Sequence, residues 1–317
     1  MERNLALEVV RVTEAAALLA GRYMGRGDAS LASRSALDAM KKIISSVAIK
    51  GTIICGKVDS DEDSMIKEIC IDNENGIEVD VLIDPVDGRT TCASGGRNAI
   101  SAISIAEKGS FFDAPRIYME KIAVGAEAKG AIDITESPAI NIKRVARAMN
   151  KYIDDVTVCI LERPRHKELI EAVRGVGARI MLIRDGDVSG AVAAAMSEKQ
   201  IDILMGVGGA MEGIMAAAAI KCLGGDIQAR FVYRDDEDRK RVQQMGEEDL
   251  DRIYFLSDLV KGDNIMFSAT GVTDGELLFG VRFYAGGAET NSIVMRSKTH
   301  TLRFITARHQ FDYKPMY

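Results

Sequence analysis

From residue 156 to residue 223 short β-branched runs alternate with segments of helical period, and this alternation limits the folds open to the chain more than any other feature. The strand runs are Val156–Leu161, Ala178–Ile183 and Ile201–Val207, with a fourth at Asn264–Ser268. The helical segments cover about Arg165–Gly175, Val188–Met196 and Glu212–Leu223. Strands spaced by helices of this length predict an α/β protein with a largely parallel layer, because parallel neighbours need a crossover connection. The first half begins differently. Residues 2–24 and about Leu31–Ser46 read as helices on either side of Gly25-Arg26-Gly27-Asp28, with Leu5, Val9, Val12, Ala16 and Leu19 near one face of the first. Gly51–Gly56, Glu78–Pro85, Ser101–Ala106 and Lys121–Gly125 then read as strands, and Ser292–Arg296 with Thr301–Ala307 as a closing hairpin. No Pro- or Ser-rich linker interrupts the chain. Two tightly packed domains are expected, an N-terminal α+β domain over 1–155 and a C-terminal α/β domain over 156–317.

At 317 residues, 47% of them hydrophobic, the chain can bury a large core without disulfides. A net charge of −6 argues against a dedicated nucleic-acid surface. Five dispersed cysteines without a CxxC pair read as reduced thiols of a cytoplasmic protein, neither ligands nor nucleophiles. Three histidines leave little material for a histidine-built metal site. Acidic residues interrupt the N-terminal apolar run, unlike an export signal, and Glu212 and Lys221 make Gly206–Gly225 a poor membrane span. No membrane association is expected. The mixed-sign stretch Arg234–Arg252 is expected to form a solvated loop and helix.

Four motifs carry chemistry, and each follows a strand, where α/β folds gather ligand-binding residues. Asp84-Pro85-Val86-Asp87-Gly88 closes the strand Glu78–Pro85. Proline stops a ladder and glycine permits a tight turn, so both carboxylates can be aimed at one point. Such oxygen donors suit Mg²⁺ or Mn²⁺, which polarises a phosphate and activates water. An ordinary strand-end turn capped by aspartates uses the same residue types. Gly206-Val207-Gly208-Gly209-Ala210-Met211-Glu212-Gly213 leads through a glycine-rich loop into a helix whose first N–H groups can cradle an anion, with Glu212 in the first turn. Close helix–strand packing is the alternative. Arg163-Pro164-Arg165-His166 sets two arginines past a strand end as a fork for phosphate. Asp185-Gly186-Asp187 offers paired acceptors to sugar hydroxyls.

The stretches LALEVVRVTEAAALLAG, GRGD, EVDVLIDPVDG, DAPRIYMEKIAVG, RPRH, RDGDV, GVGGAMEG, KCLGGDIQARF and GDNIMFSATGVTDGELL follow one another along the chain. Through them, from Arg3 to about Arg303, it resembles the class II fructose-1,6-bisphosphatases, metal-dependent members of the lithium-sensitive sugar and inositol phosphatase superfamily. The resemblance implies a layered α-β-α-β-α fold, a sugar-bisphosphate substrate, Mg²⁺ or Mn²⁺, and assembly as a homo-oligomer, a dimer or tetramer. It implies metal and catalytic roles for Asp84, Asp87 and Glu212, with Asp87 where glutamate is usual. It implies substrate contacts at Tyr118, Arg163, Arg165, Asp185, Asp187 and Gly209.

Departures from the family cluster at its metal centre. After GRGD the family carries lysine and then aspartate; this chain has Ala29 and Ser33. A glutamate metal ligand after the GTI strand is Lys57 here, and the threonine that orients water after the DPxxG turn is Arg89, with Thr90 one place on. An ammonium within ~4 Å of a divalent ion is repelled by about 8 kcal/mol at an effective dielectric of ~20. The expectation is a homologue that binds a sugar phosphate with hydrolysis weak or lost, Lys57 pairing with the remaining carboxylates and Arg89 holding a phosphate. Alternatives stay open. Lys57 can point into solvent, as lysines mostly do. A working phosphatase with a rearranged centre would draw on Arg89, Asp59 or Asp61. A regulatory subunit would assemble with an active paralogue.

Overall fold

Apolar residues at helical spacing form α1 (Leu5–Gly21), and Asp28 starts α2 (Ala29–Ile44) by accepting the Leu31 N–H at 2.8 Å. Both belong to a computed structural model that describes residues 5–55, 67–72 and 76–313. In chain order there follow β1 (Ile49–Cys55), β2 (Lys67–Asp72), β3 (Ile77–Asp87), α3 (Arg89–Ser94) and β4 (Ile100–Glu107). Next come β5 (Tyr118–Val124), α4 (Pro138–Ala148), β6 (Thr157–Leu161), α5 (Lys167–Val176), β7 (Arg179–Ile183), α6 (Asp187–Ala194), β8 (Ile203–Gly209), α7 (Ala210–Leu223), β9 (Asp226–Val232), α8 (Asp236–Gln244), β10 (Tyr254–Phe255) and α9 (Leu256–Leu259). The chain ends with β11 (Met266–Gly271), β12 (Arg282–Tyr284), β13 (Gly287–Arg296) and β14 (Thr301–Gln310).

Two α/β units result, one from Met1–Ser110 with Gly262–Tyr317, the other from Phe111–Lys261. The division differs from one near residue 155, which lies inside the second unit. The reason is long-range pairing: β11 returns to β4 and extends the first sheet, so that unit is made from both ends of the chain. Its strand order is β12-β13-β11-β4-β3-β1-β2, with β14 also on β13, and β1–β3 is its parallel pair. The expected hairpin is present, Arg296 facing Thr301 across a turn in which His300 takes φ +46°. The second sheet runs β10-β9-β5-β8-β6-β7. Here β6 is parallel to β7 and β8, while β5 and β9 are antiparallel, so the expected parallel layer covers one end of this sheet only.

Each unit has its own core. Val12, Ala16, Val81, Ile83 and Ile103 stand in the first, and Ile122, Ile142, Val158 and Ile203 in the second. Burying one such valine or isoleucine contributes roughly 1.5–3 kcal/mol. A polar seam crosses the first core. The Thr270 hydroxyl lies 2.7 Å from Thr13 Oγ1 and 2.8 Å from Ser292 Oγ, joining α1 to β11 and β13. No helix among the described residues is long and apolar enough to cross a membrane.

Candidate active site

The first unit holds the DPVDG motif at the end of β3, and the strand does not stop at proline as expected. It continues to Asp87, because Pro85 falls where the ladder with β4 slips, between Asp84 and Asp87, and no N–H is needed on that side. Asp84 faces Ala102 and Asp87 faces Ile100, a bulge that re-aims side chains which a regular strand would send to opposite faces. Both carboxyl residues are buried. Gly88 then takes φ +85°, with Ala99 Cα only 3.2 Å from where a Cβ would sit, and Arg89 opens α3 half-buried. The GRGD turn is bonded to α3, Gly25 N–H to the Cys92 carbonyl at 2.9 Å and Gly27 N–H to that of Ala93 at 2.8 Å. This anchors the start of α2, where Ser33 is 1% exposed and its hydroxyl has no hydrogen-bond partner among the described residues. Lys57, Asp59 and Asp61 lie outside the described residues.

The second unit holds the other motifs. The expected glycine loop does not form: β8 runs to Gly209 and α7 begins at Ala210. The glycines instead make room for charge. A Cβ on Gly208 would collide with the Asp187 carboxylate, and one on Gly209 with that of Glu212. Glu212 bonds its own backbone N–H, so this helix N-terminus faces its own carboxylate rather than an open cradle. Part of Glu212 reaches solvent, but crowding by protein and then Asp187 raise its pKa above the ordinary value, against the pull of Lys121. Asp187 opens α6 after Gly186 at φ +86° and is ion-paired with Lys121, whose ammonium also donates to the Gly209 carbonyl at 3.1 Å. Asp185 stands 3.8 Å from Arg163.

Arg163 and Arg165 are not a ready fork, since different groups hold them. Arg163 donates to the Glu162 carbonyl, whereas Arg165 gives two N–H groups to the Val207 carbonyl at 3.1 and 2.6 Å. Arg165 lies 5.0 Å from the Tyr118 ring centroid and Arg234 lies 5.5 Å from it. Arg234 in turn binds Asp238, so the charged stretch forms the solvated loop and helix expected, with the Asp238 carboxylate turned inward and its Arg234 partner exposed. A shallow cleft open to solvent is lined by Lys121, Asp187, Leu161, Met205, Val207 and Gly208. Lys121, His166 and Arg234 were not among the expected site residues. For His166 the signal was there, in RPRH; for a lysine inside a strand, nothing local marks burial.

Among the described residues neither unit gathers three or more His, Cys, Asp or Glu side chains where a metal ion could sit. The donors themselves fit a hard cation at Asp84 and Asp87, two buried carboxylates on one bulge. They fit poorly at Ser33, where a neutral hydroxyl stands buried without a partner among the described residues.

The profile of the family described as bacterial fructose-1,6-bisphosphatase, glpX-encoded, matches residues 3–309. A D-fructose 1,6-bisphosphatase class 2/sedoheptulose 1,7-bisphosphatase of Microcystis aeruginosa is 37% identical over 343 residues, covering 100% of this chain and 99% of its own. Its counterpart in Synechococcus elongatus is 38% identical over 337 residues, with 98% of each chain covered. Among solved structures, the extragenic suppressor protein suhB of Bartonella henselae covers 60% of this chain and 73% of its own at 13% identity and TM-score 0.37. An IMPase of Thermotoga maritima covers 75% and 96% at 15% identity and TM-score 0.36. The nearly full-length profile match and the full-length relatives establish that the chain belongs to the glpX-encoded family of bacterial fructose-1,6-bisphosphatases.

Proposed function

We propose that this chain binds a sugar bisphosphate, fructose 1,6-bisphosphate or sedoheptulose 1,7-bisphosphate, and hydrolyses it weakly or not at all. The observation that carries the proposal is Ser33: a buried hydroxyl without a described partner where the family has a carboxylate. Replacement of a second carboxylate by Lys57 and of the water-orienting threonine by Arg89 acts in the same direction. Asp84 and Asp87 would hold Mg²⁺ or Mn²⁺, which when bound neutralises phosphate charge and makes a water more acidic. Arg165 and Arg163 bind phosphate oxygens, Tyr118 positions the guanidinium of Arg165, and Asp185 and Asp187 accept sugar hydroxyls. Arg89 retains a phosphate. The same reading has the chain assemble with copies of itself, which analytical ultracentrifugation measures.

Calorimetric titration with fructose 1,6-bisphosphate, beside phosphate release during Mg²⁺ and Mn²⁺ titration, tests the proposal. Saturable binding with slow turnover is expected, with turnover raised by Ser33→Asp combined with Lys57→Glu. Hydrolysis by the unaltered chain at ordinary enzyme rates, on the order of 10 s⁻¹, sinks it. A working phosphatase with a rearranged centre is the second reading, favoured by the two buried carboxylates kept on the β3 bulge.

A further inference from the structure

Lys121 sits in β5, in the interior of its sheet, opposite Gly206 of β8 on one side and Ala229 of β9 on the other. Its side chain is 2% exposed. A buried ammonium needs compensation, and this one has two partners, the Asp187 carboxylate and the Gly209 carbonyl. The surrounding backbone is cut to fit it. A Cβ on Gly208 would stand 2.9 Å from Lys121 Nζ, and one on Gly213 would stand 3.1 Å from Lys121 Cδ. Two glycines of GVGGAMEG thus border one lysine side chain, 87 and 92 residues earlier in the sequence.

The arrangement at Asp187 is unequal. Oδ2 is taken by Lys121, whereas Oδ1 accepts no hydrogen bond from the described residues, and both residues line the same cleft. A carboxylate has about four acceptor sites, so one oxygen held by an ammonium leaves the other able to receive a hydroxyl. The ammonium also cancels the charge of a group that would otherwise repel the phosphates of the molecule whose hydroxyl it binds.

We propose that Lys121 is a positioning residue that locks Asp187 through Oδ2 and neutralises it, so that Oδ1 reads a hydroxyl on a ligand that also carries phosphates. The proposal rests on the reading that Asp187 meets the sugar. Lys121 itself touches neither sugar nor phosphate.

The test is calorimetry on the full chain with two probes, fructose 1,6-bisphosphate and hexane-1,6-diol bisphosphate, which has both phosphates and no hydroxyl. Lys121→Met is expected to weaken fructose 1,6-bisphosphate by about tenfold and the hydroxyl-free probe by less than about twofold. In an Asp187→Asn background the same change is expected to cost less than about twofold for either probe, because the lysine acts through that carboxylate. Lys121→Met alone leaves a lone buried charge, so folding is followed by circular dichroism. If that variant unfolds, the comparison is Asp187→Asn against the double variant, which buries no lone charge. Equal weakening of both probes, or an undiminished loss in the Asp187→Asn background, overturns the proposal. If the unaltered chain binds fructose 1,6-bisphosphate and Lys121→Met binds it equally well, only the role of Lys121 fails. If the unaltered chain binds neither probe, the functional reading fails and this inference with it.

Discussion

His166 accepts the Val207 backbone N–H on Nε2 at 2.7 Å, and its Nδ1 lies 2.7 Å from the Leu161 carbonyl. A ring that donates at Nδ1 and accepts at Nε2 is neutral, because the cation has no acceptor nitrogen. Gly206, at φ +135°, lies against the same ring, with His166 Cε1 and Nε2 3.0 Å from where a Cβ would be. Val207 therefore gives its N–H to His166 and its carbonyl to Arg165. One short turn, Pro164–His166, fixes the end of β8 from both sides.

This sets a pH dependence. Burial first, then the guanidiniums of Arg165 and Arg163, hold His166 below its ordinary value of 6.5, against the Leu161 bond and Asp187. The folded pKa is the lower one, so the unfolded chain takes up the proton first as pH falls. The stability this residue contributes is whole above 6.5 and is lost as pH falls from there toward the folded value. Urea midpoints are expected to decline between pH 7.5 and pH 5, with a shallower decline in His166→Asn. Parallel curves for the two proteins would contradict the assignment.

Arg165 is held by its fork, two N–H groups on one carbonyl with the guanidinium over Tyr118. Lysine keeps the charge and loses both features. Arg165→Lys is expected to weaken inorganic phosphate binding roughly tenfold, while Tm moves by no more than about 2–4 °C, since the residue is exposed. Unchanged phosphate affinity in calorimetry would remove Arg165 from the proposed site.

How far these features were legible depends on the range of the interaction that creates them. The Asp28 cap, the strand before DPVDG and the αL glycine after it are local, and their residue types announce them. Passage of β3 through Pro85 was not legible, because it depends on the β4 ladder slipping between Asp84 and Asp87. GVGG read as a loop because glycine commonly makes one. Its packing role depends on Lys121 and Asp187, which reach it from β5 and α6. The division of the chain was hidden for the same reason: β11 pairs with β4 across an entire intervening unit.

Cys92 is fully buried, and desolvation pushes its thiol up to about 11. At pH 8 only about one molecule in a thousand would carry the thiolate there. Peptide mapping after iodoacetamide treatment is expected to find Cys92 unmodified in the folded protein and fully modified in urea. Rapid labelling without denaturant would mean that the α1–α3 contact, where its Sγ meets the Ala20 carbonyl at 3.7 Å, opens readily.

Two buried hydroxyls in the first unit should respond to removal with opposite signs. Ser33 has no partner among the described residues, so Ser33→Ala discards an unsatisfied polar group and is expected to leave stability unchanged or raise it by up to about 1 kcal/mol. Thr270 serves both Thr13 and Ser292, so Thr270→Val strands the buried Ser292 hydroxyl and takes one bond from Thr13, which keeps its bond to the Val10 carbonyl. The expected loss is about 1–3 kcal/mol, with shape and burial nearly conserved. Guanidinium unfolding of both variants measures the difference directly. If Ser33→Ala were the more damaging of the two, its hydroxyl would be a bonded structural group, and the observation that carries the functional proposal would be gone.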